Sequence, residues 1–255
     1  MPGRLTVVGI GIRAALHLTP EARRACVGAD ELLYLTSERT AAAWLAELNP
    51  SSRSLEGSYR PEDERTAIYA RIVEELLRPV REEKDVCAAF YGHPGVFVAP
   101  AHAAIERARA EGFEARMFPA ISAEDCLYAD LGVDPADAGC QSYDATDFLV
   151  RRIRPEPTAA LVLWQISVIG LTRWSPEPDL SRLPVLVDAL REDYPGDHVV
   201  TVYEASPYPL VNPHVVRVPL AGLAGATITA MSTLYVPPCA PRTLDPVMLE
   251  RLGMS

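Results

Sequence analysis

The chain has few of the residue patterns that announce a function. Its 255 residues include only five cysteines, at 26, 87, 126, 140 and 239, an odd count with no C-x-x-C spacing. That excludes a disulfide framework and a zinc knuckle. The five histidines are equally scattered, with no H-x-x-x-H pair, so no metal is expected. No run of about 18 apolar residues is present, and a transmembrane helix is excluded on that ground. The N-terminus, Met1-Pro2-Gly3-Arg4-Leu5-Thr6, lacks the apolar stretch of a signal peptide, and the default expectation is a cytoplasmic protein. Basic charge is scarce too: 24 Lys and Arg stand against 34 Asp and Glu, a formal net charge of −10. A nucleic-acid binder needs a basic face to neutralise phosphates. The densest basic group, Arg151-Arg152-Ile153-Arg154, reads as a solvated helix end. Neither nucleic acid nor a membrane is expected as a partner.

What is present is an ordinary globular balance, 49% apolar and 23% charged residues, in enough chain for one large domain or two modest ones. The first half alternates strands and helices. Leu5 to Ile10 and Glu31 to Leu35 are strand-like, and Thr19-Pro20 caps a helix running to about Val27. Ala41 to Leu48 is helical. Pro61 is expected to open a long helix, with Glu62, Asp63 and Glu64 in its first turn and apolar residues at helical spacing from Ile68 to Leu77. Asp85 to Tyr91 is a strand, Ala99 to Ala110 a helix ended by Gly112, and Phe113 to Phe118 a further strand. This order implies a largely parallel sheet covered by helices. After Pro119 the character changes. Strands are expected at Thr158 to Gln165, His198 to Tyr203, Val215 to Pro219 and Ile228 to Val236, with one helix over Leu180 to Leu190, hence a mixed sheet. The predicted division is an N-terminal α/β domain over 1–120, a C-terminal α/β domain over 121–240 and a short tail over 241–255, with the boundary near 119–122.

Three groups of residues suggest chemistry. Gly9-x-Gly11-x-x-Ala14 fits the dinucleotide fingerprint formally, with Glu38 as a distant ribose acid. No helix clearly opens at Gly11, however, so the phosphate site lacks its main donors. The alternative is a glycine turn that lets another segment approach closely. Tyr91-Gly92-His93-Pro94-Gly95-Val96-Phe97 follows an apolar strand and forms a shaped loop where ligands bind on such sheets. Arg65 and Tyr69 share one face of the long helix, and Tyr59 precedes it. An arginine beside a phenol is expected to lower its pKa; the bland reading is an Arg packed over surface tyrosines. Gln165 after the apolar strand, and Ser232-Thr233 within the 228–236 run, are polar residues at strand ends.

Together with Pro119-Ala120-Ile121-Ser122-Ala123-Glu124, Tyr128-Ala129-Asp130-Leu131-Gly132, Tyr203-Glu204-Ala205 and Ser232-Thr233-Leu234-Tyr235-Val236-Pro237-Pro238, these residues resemble the two-domain tetrapyrrole-methylase-like (class III) fold of S-adenosylmethionine methyltransferases. Within it they resemble the borosin peptide backbone α-N-methyltransferases. The resemblance spans nearly the whole chain. Ordinary tetrapyrrole methylases usually carry an acid where His93 stands.

The resemblance implies S-adenosylmethionine bound in a cleft between two domains and released as S-adenosylhomocysteine. The cofactor-binding residues are then Tyr91, His93, Val96, Phe97, Ser122, Ala123, Gln165, Ala205, Ser232 and Thr233, and Gly9 and Gly11 become structural or substrate-side. The catalytic set it implies is Tyr59, Arg65, Tyr69 and Tyr91 beside a substrate tunnel. Many borosin enzymes carry their peptide substrate fused at the C-terminus. Here only a short tail with one helical candidate, Leu244 to Leu252, follows Pro238. The expectation is therefore a split borosin, iteratively N-methylating a separately encoded precursor, as a homodimer or a heterotetramer with two precursors. The alternatives are a tetrapyrrole or other small-molecule methylase of the same fold, and a non-catalytic peptide-binding module.

Overall fold

A computed structural model of the chain describes residues 3–61 and 63–254. The first sheet contains β1 (Arg4–Gly9), β2 (Glu31–Leu35), β3 (Ser52–Ser54), β4 (Asp85–Phe90) and β5 (Glu114–Met117), in the order β3-β2-β4-β1-β5. Every pairing in it is parallel, as the alternation of strands and helices predicts. The connecting helices are α1 (Ala14–His17), α2 (Pro20–Gly28), α3 (Arg39–Leu48), α4 (Arg65–Arg81), α5 (Ala99–Ala110) and α6 (Ala123–Leu131).

The period-two alternation of a strand shows in how β4 divides its side chains. Val86, Ala88 and Phe90 pack with Ile68, Ile72 and Leu76 of α4 and Ala101 and Ala104 of α5. Cys87 and Ala89 pack on the other face with Ala22 and Cys26 of α2 and Leu45 of α3. Both faces are covered, which is why the central strands read as unbroken apolar runs. Thr19 caps α2 as predicted, its Oγ1 accepting from Ala22 N–H at 3.1 Å.

Helix α4 begins at Arg65 instead of Pro61. Before it, Asp63 N–H donates to Arg60 O at 3.2 Å. Glu64 is extended (φ −61°, ψ 133°) and bridges Arg173 in an antiparallel pair. The expected first-turn acids therefore precede the helix; Glu62 lies outside the described residues.

The second sheet contains β6 (Cys140–Asp144), β7 (Ala160–Trp164), β8 (Val199–Glu204), β9 (His214–Pro219) and β10 (Thr233–Val236), in the order β6-β7-β10-β8-β9. Only β6 and β7 run parallel, so this sheet is mixed, as expected. With it go α7 (Pro135–Ala138), α8 (Ala145–Val150), α9 (Leu183–Leu190) and α10 (Pro246–Arg251). Its core joins Leu161, Leu163, Val200, Val202 and Leu234 to Leu186 and Leu190 of α9. The expected strand from Ile228 starts late because residues 229–232 close a turn, with Ser232 N–H donating to Thr229 O at 3.2 Å and Thr229 N–H to Ser232 Oγ at 2.9 Å. Arg151, capping α8, pairs with Asp147 at 2.5 Å, and Arg154 with Glu192 at 2.6 Å, a solvated helix end.

The chain falls into two compact units. The first takes residues 1–130, 171–176 and 205–213; the second takes 131–170, 177–204 and 214–255. The division after Asp130 lies beyond the boundary expected at 119–122, because α6 belongs almost wholly to the first unit. The two later segments return to the first unit as well, which linear reading of the sequence does not anticipate.

Candidate active site

Gly9, Phe90 and Leu35 lie side by side in register at the carboxyl edge of the first sheet. The loops that follow are tied together at the backbone. Ile10 N–H donates to Phe90 O at 2.8 Å, and Gly11 and Gly92 exchange a pair of bonds at 3.2 and 3.1 Å. A Cβ on Gly9 would meet Gly92 O at 2.2 Å and the side chains of Pro94 and Ala120 at 2.6 Å. Gly11 has φ +70°, and a Cβ there would lie 2.1 Å from that of His17. Both glycines thus serve close approach of backbone segments. The dinucleotide reading fails on two counts. The helix after Gly11 is a single four-residue turn with no side-chain cap. The Glu38 carboxylate is taken by the hydroxyls of Thr40 and Tyr208, each at 2.7 Å.

The loop 91–97 is held from within. Tyr91 N–H donates to Leu35 O at 3.2 Å and Val96 N–H to His93 O at 3.1 Å. His93 Nδ1 accepts from Gly95 N–H at 3.0 Å, so a neutral ring carries its proton on Nε2. Phe97 is 46% exposed and adopts φ +56°, a left-handed conformation that costs a residue with a Cβ roughly 1–2 kcal/mol. Gln165 does the same at φ +57°. Two residues singled out from the sequence therefore carry backbone strain, a feature that concentrates at ligand sites.

Ser122 is the N-cap of α6, and its polar atoms are engaged within the chain. Its N–H and hydroxyl both donate to Asp125 Oδ2 at 2.7 Å, and its Oγ accepts from Asp125 N–H at 3.1 Å. Ala123 opens the same helix. Ala205 is buried and lines a cavity of about 390 Å³ with Arg13, His17, Asp125, Cys126 and Ser206. Burial lowers the pKa of His17 and raises the Cys126 thiol to about 11. Gln165, Ser232 and Thr233 lie in the second unit, where Ser232 and Thr233 are buried.

Tyr59 follows the 3-10 turn Glu56–Ser58, and Arg65 and Tyr69 occupy the first turns of α4. Tyr59 and Tyr69 pack half-buried against the α4–α5 face of the sheet, in the cluster that also holds Phe90 and Val98 from either side of loop 91–97. The phenol of Tyr59 is pushed up to about 12, chiefly by burial and then by Tyr69, while Arg65 pulls it down. The lowering expected from Arg65 is thus present but outweighed. A neutral phenol loses less on leaving water than a phenolate does, so burial opposes ionisation.

Sequence reasoning missed Trp174 and Arg71. The Trp174 ring meets that of Tyr59 edge to face, centroids 5.6 Å apart at 62°. Arg71 pairs with Asp63 and donates to Ser58 O at 2.9 and 3.2 Å. A tryptophan immediately before Ser175-Pro176 was the available signal for the first. Nothing in the spacing marked the second.

The sequence matches the tetrapyrrole (corrin/porphyrin) methylase family over residues 4–223. It is 39% identical over 246 residues to a methyltransferase/ribosomally synthesized type I borosin cyclic peptide precursor of Coprinopsis marcescibilis, covering 94% of this chain and 63% of that protein. It is 37% identical over 241 residues to a methyltransferase/ribosomally synthesized cyclic peptide gymnopeptides precursor of Gymnopus fusipes, covering 92% and 57%. The chain thus spans about three fifths of the length of these relatives. Among solved structures, uroporphyrin-III C-methyltransferase from Thermus thermophilus, complexed with S-adenosylhomocysteine, superposes with a TM-score of 0.62 at 18% identity, covering 92% of each chain. The parallel first sheet, the mixed second sheet and the family match agree: this chain belongs to the tetrapyrrole methylase family.

Proposed function

We propose that the chain is an S-adenosylmethionine-dependent methyltransferase acting on backbone amide nitrogens of a peptide. The observation that carries this reading is the Tyr59–Arg65–Tyr69 group, packed on the same face of the first sheet as the residues flanking loop 91–97. Relatives named as methyltransferases joined to peptide precursors support the choice of substrate class.

The residues fit such a donor in kind. Phe97 presents an exposed ring, Tyr91 stands at the same strand end, and both suit a cationic group. Ala123 and Ala205 are small and leave room. Ser122 has its hydroxyl committed to Asp125 and contributes shape instead of a free hydrogen bond. When bound, S-adenosylmethionine supplies an electrophilic methyl group on a cationic sulfonium and leaves as S-adenosylhomocysteine.

A peptide nitrogen is a poor nucleophile because its lone pair is delocalised into the carbonyl. The site must remove the N–H proton and hold the charge that moves to oxygen. We assign the proton to the Tyr59 phenolate oxygen. Burial makes that group seldom ionised and correspondingly strong as a base, closer to the acidity of an amide than an ordinary tyrosine is. Arg65 offsets part of the cost of ionising it. Tyr69 and Tyr91 donate their hydroxyls to the imidate oxygen.

The test is incubation with S-adenosylmethionine and a panel of synthetic apolar peptides supplied as separate chains, followed by tandem mass spectrometry. Mass gains of one methylene each, mapped to backbone nitrogens, are expected. Methyl groups confined to side chains, or turnover of uroporphyrinogen with none of any peptide, overturn the reading.

A further inference from the structure

We propose that Trp174 is a positioning residue for Tyr59: its segment docks onto the entry to α4 and its ring holds the phenol in place and out of water. The inference rests on the assignment of Tyr59 as the base. Residues 172–174 are fixed to residues 63–65 by two main-chain bonds. Arg65 N–H donates to Thr172 O at 2.9 Å and Trp174 N–H donates to Asp63 O at 3.0 Å. Between them Glu64 and Arg173 form the antiparallel bridge and a charge pair at 3.1 Å. The segment is therefore seated on the residue immediately before Arg65 and brings an aromatic ring onto Tyr59 at 5.6 Å.

The backbone of Tyr59 is braced as well. Tyr59 N–H donates to Glu56 O at 2.9 Å, and Ser58 O takes two bonds from Arg71. Arg71 also holds Asp63, whose carbonyl receives Trp174. One guanidinium thus holds both the residue before Tyr59 and the residue on which Trp174 docks. The charged and titratable groups around the phenol are Arg65 and Tyr69 on α4, the Arg71–Asp63 pair and the Glu64–Arg173 pair. Burial and Tyr69 oppose ionisation of the phenol, and Arg65 favours it. Removing the indole admits water, lowers the phenol toward its ordinary value and lets the ring turn away from the amide it serves.

Trp174→Ala and Trp174→Phe are compared with the wild-type chain in steady-state methylation of whichever synthetic peptide turns over, with fold monitored by circular dichroism at each pH. In the wild type the rate is expected still to rise at pH 10, with the limb following a phenol pushed up to about 12. Trp174→Ala is expected to level off about one to two pH units lower. Its limiting kcat should fall roughly tenfold or more through misplacement, with the KM for peptide little changed. Trp174→Phe should restore both the limb and the rate. A folded Trp174→Ala with the wild-type limb and kcat overturns the inference, and so does a Trp174→Phe as impaired as alanine. Tyr59→Phe separates the two layers. If it keeps wild-type activity, the base assignment itself fails. If it is inactive while Trp174→Ala is unchanged, only the role of Trp174 fails.

Discussion

Replacing Gly9 by alanine places a methyl group where three pieces of chain already meet. The new carbon would stand 2.2 Å from Gly92 O and 2.6 Å from both Pro94 Cδ and Ala120 Cβ. Carbon contacts relax only near 3.5 Å, so something must withdraw by about 1 Å. Strand β1 is buried between two strands and cannot move. Loop 91–97 has to yield, and with it the two Gly11–Gly92 bonds. Overpacking costs roughly 1–3 kcal/mol, and each lost bond about 1 kcal/mol. The total of about 3–5 kcal/mol corresponds to a fall of roughly 10 °C in melting temperature for a chain of this size. A displacement of about 1 Å in the loop should also reduce turnover on the order of a hundredfold. Differential scanning fluorimetry with Gly28→Ala as the control is decisive, because a Cβ on Gly28 meets nothing within 4 Å. That control should melt at or slightly above wild type. A Gly9→Ala protein that melts with the control and turns over normally would refute the close-approach account.

Arg65→Ala and Tyr69→Phe should each lower kcat about 10²-fold or more with donor affinity retained by calorimetry; wild-type turnover in both removes the donor and base assignments. Methylation by the wild type should rise with pH through neutrality, since burial keeps the Tyr59 phenol near 12, and a rate that is flat from pH 7 to 10 contradicts it. Hydrogen bonds from Arg81, and then from Arg107, hold the exposed Glu111 carboxyl down to about 2. A depressed folded-state pKa gives stability that is complete above the unfolded value near 4.5 and drains away as pH falls toward 2. Glu111→Gln should flatten that part of the acid-unfolding curve, and an unaltered curve would show the cluster to be energetically idle.

The first sheet was legible because its strands are covered on both faces and alternate with helices capped by clear signals, Thr19-Pro20 among them. Strand β6 was not, since Cys-Gln-Ser-Tyr-Asp is polar and only half-buried along its length. The start of α4 was misread because a proline with acids after it suits a helix entry and a turn equally; the pairing of Glu64 with Arg173, over a hundred residues away, decides between them. The loop 91–97 could be found because a strand-end loop with two glycines, a proline and flanking aromatics is a local pattern. Trp174 and Arg71 act through long-range contacts, which no local spacing encodes. The Tyr59 phenol was assigned the wrong net direction because adjacency to Arg65 is visible in sequence and burial is not.

The first unit is assembled from three stretches of chain, the last of them residues 205–213. On a ribosome these arrive in order, at roughly 5–20 residues per second. The parallel sheet and its covering helices can form once β5 has emerged, but two later segments of the unit are still missing. Tyr59 meets the Trp174 ring only after 171–176 follow. Glu38 gains the Tyr208 hydroxyl, and Arg13 Nε the Ser206 carbonyl at 3.3 Å, later still. Tyr59 therefore gains its aromatic neighbour only once residues 171–176 have been made, and an N-terminal fragment ending before them would carry the tyrosines without it.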